Sequence, residues 1–279
     1  MSLQIKNFTD EQKFILINIF SCIKESPYSK YYQFKESVKS QLKILPDFIY
    51  RLCEEIAYER NKNVRAHYIR NSPIDVSVSK FDRSNLPTDK YEKKETFIGE
   101  VFLEVFSQLT DSPIMKFETT IQDFFRDVYS VTQQGKMPKD KVKLENLFWH
   151  NDATYSKIMP DYVTLLCMRS CKDNLVYTFL IDYKEVIKYL DPNVQAILKN
   201  NYYGTPKKKN TNDRCCNKEI HKHAIIEKDY GFCYCSTLTQ CLDDSPVEAR
   251  NALISLHDAI IKSEKERVFL LNGDLLCYF

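Results

Sequence analysis

His150 and Asp152 stand two residues apart in FWHNDATY, residues 148–155. At a strand end, residues with this spacing project from one face. One imidazole nitrogen and one carboxylate oxygen can then reach the same ion. Two histidines and a carboxylate on one face of an octahedron form the non-haem iron(II) arrangement, which leaves three positions open. A chain of this size can hold one HxD by chance, and the tripeptide alone favours the plain alternative, a hydrogen-bonded pair at a strand-to-loop corner. The other histidines suggest less. His67 in RAHYIR reads as structural, and His257 in ALISLHDAII as a surface or core-edge helix residue. His221 and His223 lie two apart beside a strand. With the adjacent Cys215 and Cys216 they offer a second, zinc-binding reading. Cysteine spacing argues against it. The chain has 10 cysteines, but Cys233-Tyr-Cys235 is CxC, not a pair of CxxC knuckles. Reduced thiols, mostly buried, are expected.

The elements that must position these residues follow from periodicity. DEQKFILINIFSCIK (10–24) has apolar residues at helical spacing. VKSQLKILPDFIYRLCEEIAYE reads as two helical pieces broken before Pro46. Val64–Arg70 reads as a strand, 76–94 as a loop and 94–109 as an amphipathic helix. The texture then becomes β-rich: IMKFETT, DVYSVTQ, YVTLLCM, LVYTFLI, FCYCS and VFLLNGDLLCYF. Helices are expected at 182–200, begun by Asp182, and at 246–264, capped by Asp243, Asp244 or Ser245. Residues 204–224 read as a polar surface insertion. The class is α+β in one domain over 1–279, with a helical part at 1–62 and a β-rich core at 63–279.

Composition limits the function. Of 279 residues, 43% are hydrophobic and 28% charged, with a net charge of +2. That balance gives no electrostatic case for nucleic acid or an anionic membrane surface. FILINIF is short and flanked by charge, and no apolar run is long enough for a bilayer. A cytoplasmic location is expected. Oligomeric state is not readable.

WHNDATYSKIMPDYVTLLCMRS closely resembles the metal-binding segment of the clavaminate synthase-like Fe(II)/2-oxoglutarate dioxygenases. There HxD or HxE precedes an aromatic loop and a PDYxxLxCxR strand. Four further pieces are similar in order and spacing: residues 64–109, DVYSVTQQGK, YTFLIDYKEVIKYLDPNVQAILKNNYYGTP, and SPVEARNALISLHDAIIKSEKERVFLLNGDLLCYF. The likeness runs over about residues 64–279 and extends to the amino-acid hydroxylase branch. It implies a double-stranded β-helix, or jelly roll, with flanking helices. It also implies hydroxylation of a C–H bond in a free amino acid or amino-acid derivative, with Fe(II) and the co-substrate 2-oxoglutarate. His150 and Asp152 match the first two iron ligands. Thr178, twenty-eight residues after His150, matches a threonine that binds the 2-oxoglutarate carboxylate; a plain strand residue is the alternative. Gln134 matches a polar residue facing the substrate, although Gln133 is adjacent and an exposed loop glutamine is the alternative. Arg169 ends the PDYVTLLCMR strand, where structural pairing is expected.

In the family, GDLL leads to a distal histidine and an arginine that pairs with the oxo-acid. Here the sequence reads LLNGDLLCYF to Phe279. The resemblance therefore implies a jelly roll lacking its last core strands. Leu275, Leu276, Tyr278 and Phe279 are then expected to be exposed, or to leave a sheet unfinished. Two functions stay open: the oxygenase, or a catalytically inactive protein of the same fold that binds a small molecule or a partner.

Overall fold

A computed structural model describes residues 3–76, 93–116, 124–126, 128, 148–170, 176–207, 219–227 and 231–278. Among them, the strands form one four-stranded, one three-stranded and two two-stranded sheets. The chain is mixed helix and sheet. It divides into two compact units: Ser2–Tyr129, Tyr162–Thr178 and Val268–Phe279 form one, while Ser130–Asp161 and Phe179–Arg267 form the other with Met1.

The first unit opens with β1 (Leu3–Asn7), which runs parallel to β2 (Ala66–Arg70) with Leu3 opposite Ala66. Residues 1–62 are therefore not wholly helical. The alternation of LQIKN is weak, and its partner lies some sixty residues away. α1 (Asp10–Phe20) starts at Thr9, whose hydroxyl accepts from Gln12 N while the Gln12 side chain accepts from Thr9 N. This reciprocal cap satisfies two backbone donors that the first turn would leave open. α2 (Tyr31–Gln41) tightens into a 3₁₀ turn at Leu42–Ile44, and α3 (Asp47–Asn61) begins after Pro46. The break falls where proline excludes helical geometry from its predecessor.

α4 (Ile98–Leu109) is capped at a distance. Asp75, buried, accepts from Ile98 N at 3.2 Å and from Thr96 Oγ1 at 2.5 Å. Lys94 neutralises it at 3.2 Å and also binds Glu100 at 2.6 Å. The carboxylates hold the Lys94 ammonium above its ordinary range against a desolvation that opposes it.

β3 (Val163–Leu166) and β11 (Leu275–Tyr278) complete the larger sheet, in the order β1-β2-β11-β3. β11 is antiparallel to both neighbours, with Leu276 opposite Tyr68 on one side and Leu165 on the other. Leu275 and Leu276, expected to be exposed or to leave a sheet unfinished, are consequently buried, as is Cys277 between two neighbouring strands; Tyr278 is half-buried and Phe279 lies outside the described residues. Behind the sheet, Leu16, Phe20, Phe34, Ile49, Ile56, Phe102 and Leu275 share one core.

β4 (Tyr177–Leu180) pairs with β10 (Glu266–Phe269). In the second unit, the helix expected over 182–200 is two helices. α5 (Tyr183–Ile187) is capped by Asp182, and α6 (Pro192–Leu198) by Asp191, with proline at its first position. β5 (Tyr203–Pro206) pairs with β6 (Ile220–His223) and β9 (Gln240–Cys241). The ends of the expected 204–224 insertion are thus paired strands, and the pairing buries Thr205 and His223. β7 (Ile226–Glu227) and β8 (Gly231–Phe232) form a short ladder. α7 (Val247–Lys262) has Pro246 at its N-cap and no side-chain cap, so Asp243, Asp244 and Ser245 do not serve there. Val186, Leu198, Tyr203, Ile225, Ala252 and Leu256 form the core of this unit. No helix among the described residues is long and apolar enough to cross a membrane.

Candidate metal centre

His150 is held by a short antiparallel crossing with residues 234–236. It forms a bridge opposite Cys235. On either side, Ser236 N donates to Trp149 O at 2.9 Å and Asn151 N to Tyr234 O at 2.8 Å. His150 and Cys235 are therefore a non-hydrogen-bonded pair, the closer kind of cross-strand pair. The Asn151 side chain adds a bond from Tyr234 N at 3.3 Å. Beyond Asp152 the backbone turns sharply at Ala153, at φ 59°. The buried Thr154 closes the turn, its carbonyl accepting from His221 Nδ1 at 3.1 Å.

The ring of His150 has a defined orientation. Its Nδ1 lies 2.6 Å from Phe148 O. A carbonyl can only accept, so Nδ1 carries the proton, and in the neutral ring Nε2 carries the lone pair. That nitrogen lies 4.0 Å from Asp152 Oδ1, and the two side chains are 33% and 41% exposed. Metal-binding histidines commonly donate their second nitrogen to a backbone carbonyl in this way. Two donors about 2.1 Å from one ion, at right angles, sit about 3 Å apart. The observed gap exceeds that by about 1 Å, which torsion of two partly exposed side chains closes. The pair can supply two ligands to one ion. Among the described residues, no group of three His, Cys, Asp or Glu side chains comes together to hold a metal.

Nearby groups have other tasks. His223 is buried and both its nitrogens are engaged: Nδ1 with Ala224 O and Nε2 with Thr205 Oγ1, each at 2.8 Å. Burial holds its pKa below the ordinary value. It is not available to a zinc ion, and Cys215 and Cys216 lie outside the described residues. Cys233 is buried, and burial pushes its thiol up to about 12. Cys235 is also a free, buried thiol. His67 is buried against Glu59 at 3.1 Å, and burial lowers its pKa. His257 is exposed on α7 and bonds the Tyr234 hydroxyl.

The structure thus brings His150 and Asp152 together. Thr178 is half-buried on β4 and belongs to the other unit, and Arg169 is exposed just after β3. Gln134 and Gln133 lie outside the described residues. Sequence reasoning missed the Phe148 carbonyl, the His221–Thr154 tie and the 234–236 crossing. The first is a backbone group, invisible to a residue pattern; the others join segments more than sixty residues apart.

No protein-family model and no curated protein sequence matches the chain. Solved structures do. Asparagine oxygenase, in complex with Fe(II), 2S,3S-3-hydroxyasparagine and succinate, superposes with a TM-score of 0.76 at 15% identity over 98% of this chain and 84% of its own. The non-haem iron oxygenase OrfP with Fe and L-canavanine gives 0.71 at 14%, with the same shares. OrfP with Fe, succinate and (3S)-hydroxy-L-Arg gives 0.72 at 15%. Similarity of this extent over nearly the whole chain gives it the fold of asparagine oxygenase and of the non-haem iron oxygenase OrfP.

Proposed function

We infer that this chain is an Fe(II)/2-oxoglutarate-dependent oxygenase of the clavaminate synthase-like type, built on a jelly-roll core, that hydroxylates a C–H bond of a free amino acid or amino-acid derivative. The observation that carries this reading is the ring of His150. Its Nδ1 proton is committed to Phe148 O, which leaves Nε2 free beside the Asp152 carboxylate at 4.0 Å. The similar structures support it, being complexes with Fe and succinate, hydroxylated arginine or hydroxyasparagine. An iron(II) ion held there would supply oxygen activation and a template for the oxo-acid.

The side chains have distinct roles in this reading. Nε2 of His150 is a neutral donor, and Asp152 offsets part of the ion's charge. The Thr178 hydroxyl donates to a carboxylate of 2-oxoglutarate. The Gln134 amide orients the substrate's amino or carboxylate group. Asn151 and Ser236, through backbone and amide bonds, keep His150 from drifting off its strand. A second reading, a small-molecule-binding protein of this fold without turnover, is favoured by one observation: only two donor side chains converge among the described residues.

Incubation with Fe(II), ascorbate, 2-oxoglutarate and a panel of free amino acids separates the two. The oxygenase reading expects succinate in step with one oxygen atom added to one amino acid, both abolished by His150→Ala. Succinate formed with no amino acid modified would overturn the substrate class. No succinate with any member of the panel would favour the second reading.

A further inference from the structure

α7 buries Ala249, Ala252, Leu256 and Ala259 in its own unit, yet its opposite side is not polar throughout. Val247, Ile254 and Ile261 are 67%, 59% and 73% exposed. They are spaced by seven residues, nearly two full turns, so they form one line about 21 Å long. Branched aliphatic side chains on a solvated helix face contribute nothing to a monomer's solubility. On this face the exposed Arg250, Asn251, His257 and Asp258 stand between the three, so the line is apolar at its centre and two ends and polar in between.

We propose that this stripe pairs with the same stripe of a second copy of the chain, the two α7 helices lying antiparallel about a twofold axis at Ile254. The occupant follows from the helix's own symmetry. In a twofold contact, if residue i faces j, then j faces i. Centred on Ile254, the exposed positions match in this way. Val247 and Ile261 lie seven residues either side and face each other. Arg250 and Asp258 lie four residues either side, both exposed, so each copy's arginine meets the other's aspartate. Asn251 and His257, three residues either side, are polar and exposed. An arbitrary partner would not require opposite charges equidistant from the apolar centre; a second copy does. The stripe covers on the order of 300 Å², below the roughly 800 Å² per partner of a stable complex. The dimer is therefore of the weak, reversible kind.

Sedimentation equilibrium of the full chain up to about 500 µM tests the proposal. The wild type is expected to show a monomer–dimer equilibrium. Ile254→Asp, at an exposed position that leaves the core untouched, should raise the dissociation constant at least about tenfold. Arg250→Asp should weaken association, and Arg250→Asp with Asp258→Arg should restore it to within about twofold of the wild type. A wild type that stays monomeric, or a dimer indifferent to Ile254→Asp, would overturn the proposal. A double charge swap that fails to restore association would overturn the twofold register, and with it the second copy as occupant of this stripe.

Discussion

Replacing Thr239 with valine should destabilise the unit that carries His150, by an amount set by one chain of hydrogen bonds. His223 Nδ1 donates to Ala224 O, so Nε2 accepts from the Thr205 hydroxyl at 2.8 Å. The Thr205 oxygen then accepts from the Thr239 hydroxyl at 3.0 Å, and the Thr239 oxygen accepts from Cys235 N at 2.9 Å. Each link has one donor and one acceptor, and Thr205, His223, Cys235 and Thr239 are all buried. Valine keeps the shape of threonine but breaks two links. It strands the Cys235 N–H at about 1–3 kcal/mol and leaves the Thr205 oxygen one donor short, for about 2–4 kcal/mol together. Thr239→Ser keeps the hydroxyl and loses only a methyl group, about 1 kcal/mol. Urea unfolding followed by fluorescence is well placed to read this. Trp149 is the chain's single tryptophan, and its carbonyl accepts from Ser236, beside Cys235. With a slope of about 2 kcal/mol per molar urea, valine lowers the midpoint by about 1–2 M. The reasoning fails if Thr239→Val unfolds within about 0.5 kcal/mol of Thr239→Ser.

Three further outcomes follow from buried groups. Burial lowers the His223 pKa, so the unfolded chain binds a proton more readily than the folded one. Stability is therefore full above the unfolded value of about 6.5 and lost as pH falls below it. His67, lowered first by burial, adds a loss of the same sign; His223→Gln should remove only part of the acid-side slope in a pH series of unfolding midpoints. Asp75→Ala removes the cap of α4 and one of two anions at Lys94, costing about 3 kcal/mol and speeding exchange of the Ile98 and Gly99 amides. Gly231→Ala places a Cβ 2.8 Å from the Tyr183 ring at φ +78°, and calorimetry should show a loss of about 1–3 kcal/mol.

Much of the local structure was legible. The apolar spacing of FILINIF gave α1, Pro46 marked the break between α2 and α3, and Asp182 announced its helix. These signals act within a few residues. What escaped depends on distant partners. β1 exists because β2 offers it an edge. Residues 204–206 and 220–223 looked like parts of a polar loop because lysines and asparagines dominate between them, yet pairing buries Thr205 and His223. At the site, the HxD spacing drew attention to His150 and Asp152, the resemblance of the surrounding segment made them candidate ligands, and their side chains lie 4.0 Å apart. No spacing rule reveals that the Phe148 carbonyl selects the ring's tautomer, or that Cys235 lies opposite His150. The two helices inside 182–200 were separable in principle, since Asp191-Pro192 is itself a stop and a start.

The most direct test of the account is an anaerobic titration of the purified chain with Fe(II) and 2-oxoglutarate, read by the visible charge-transfer band of the iron chelate. The account predicts a saturable band in the wild type that is lost in both His150→Ala and Asp152→Ala. A wild type with no band, or a band that both variants retain, would contradict it.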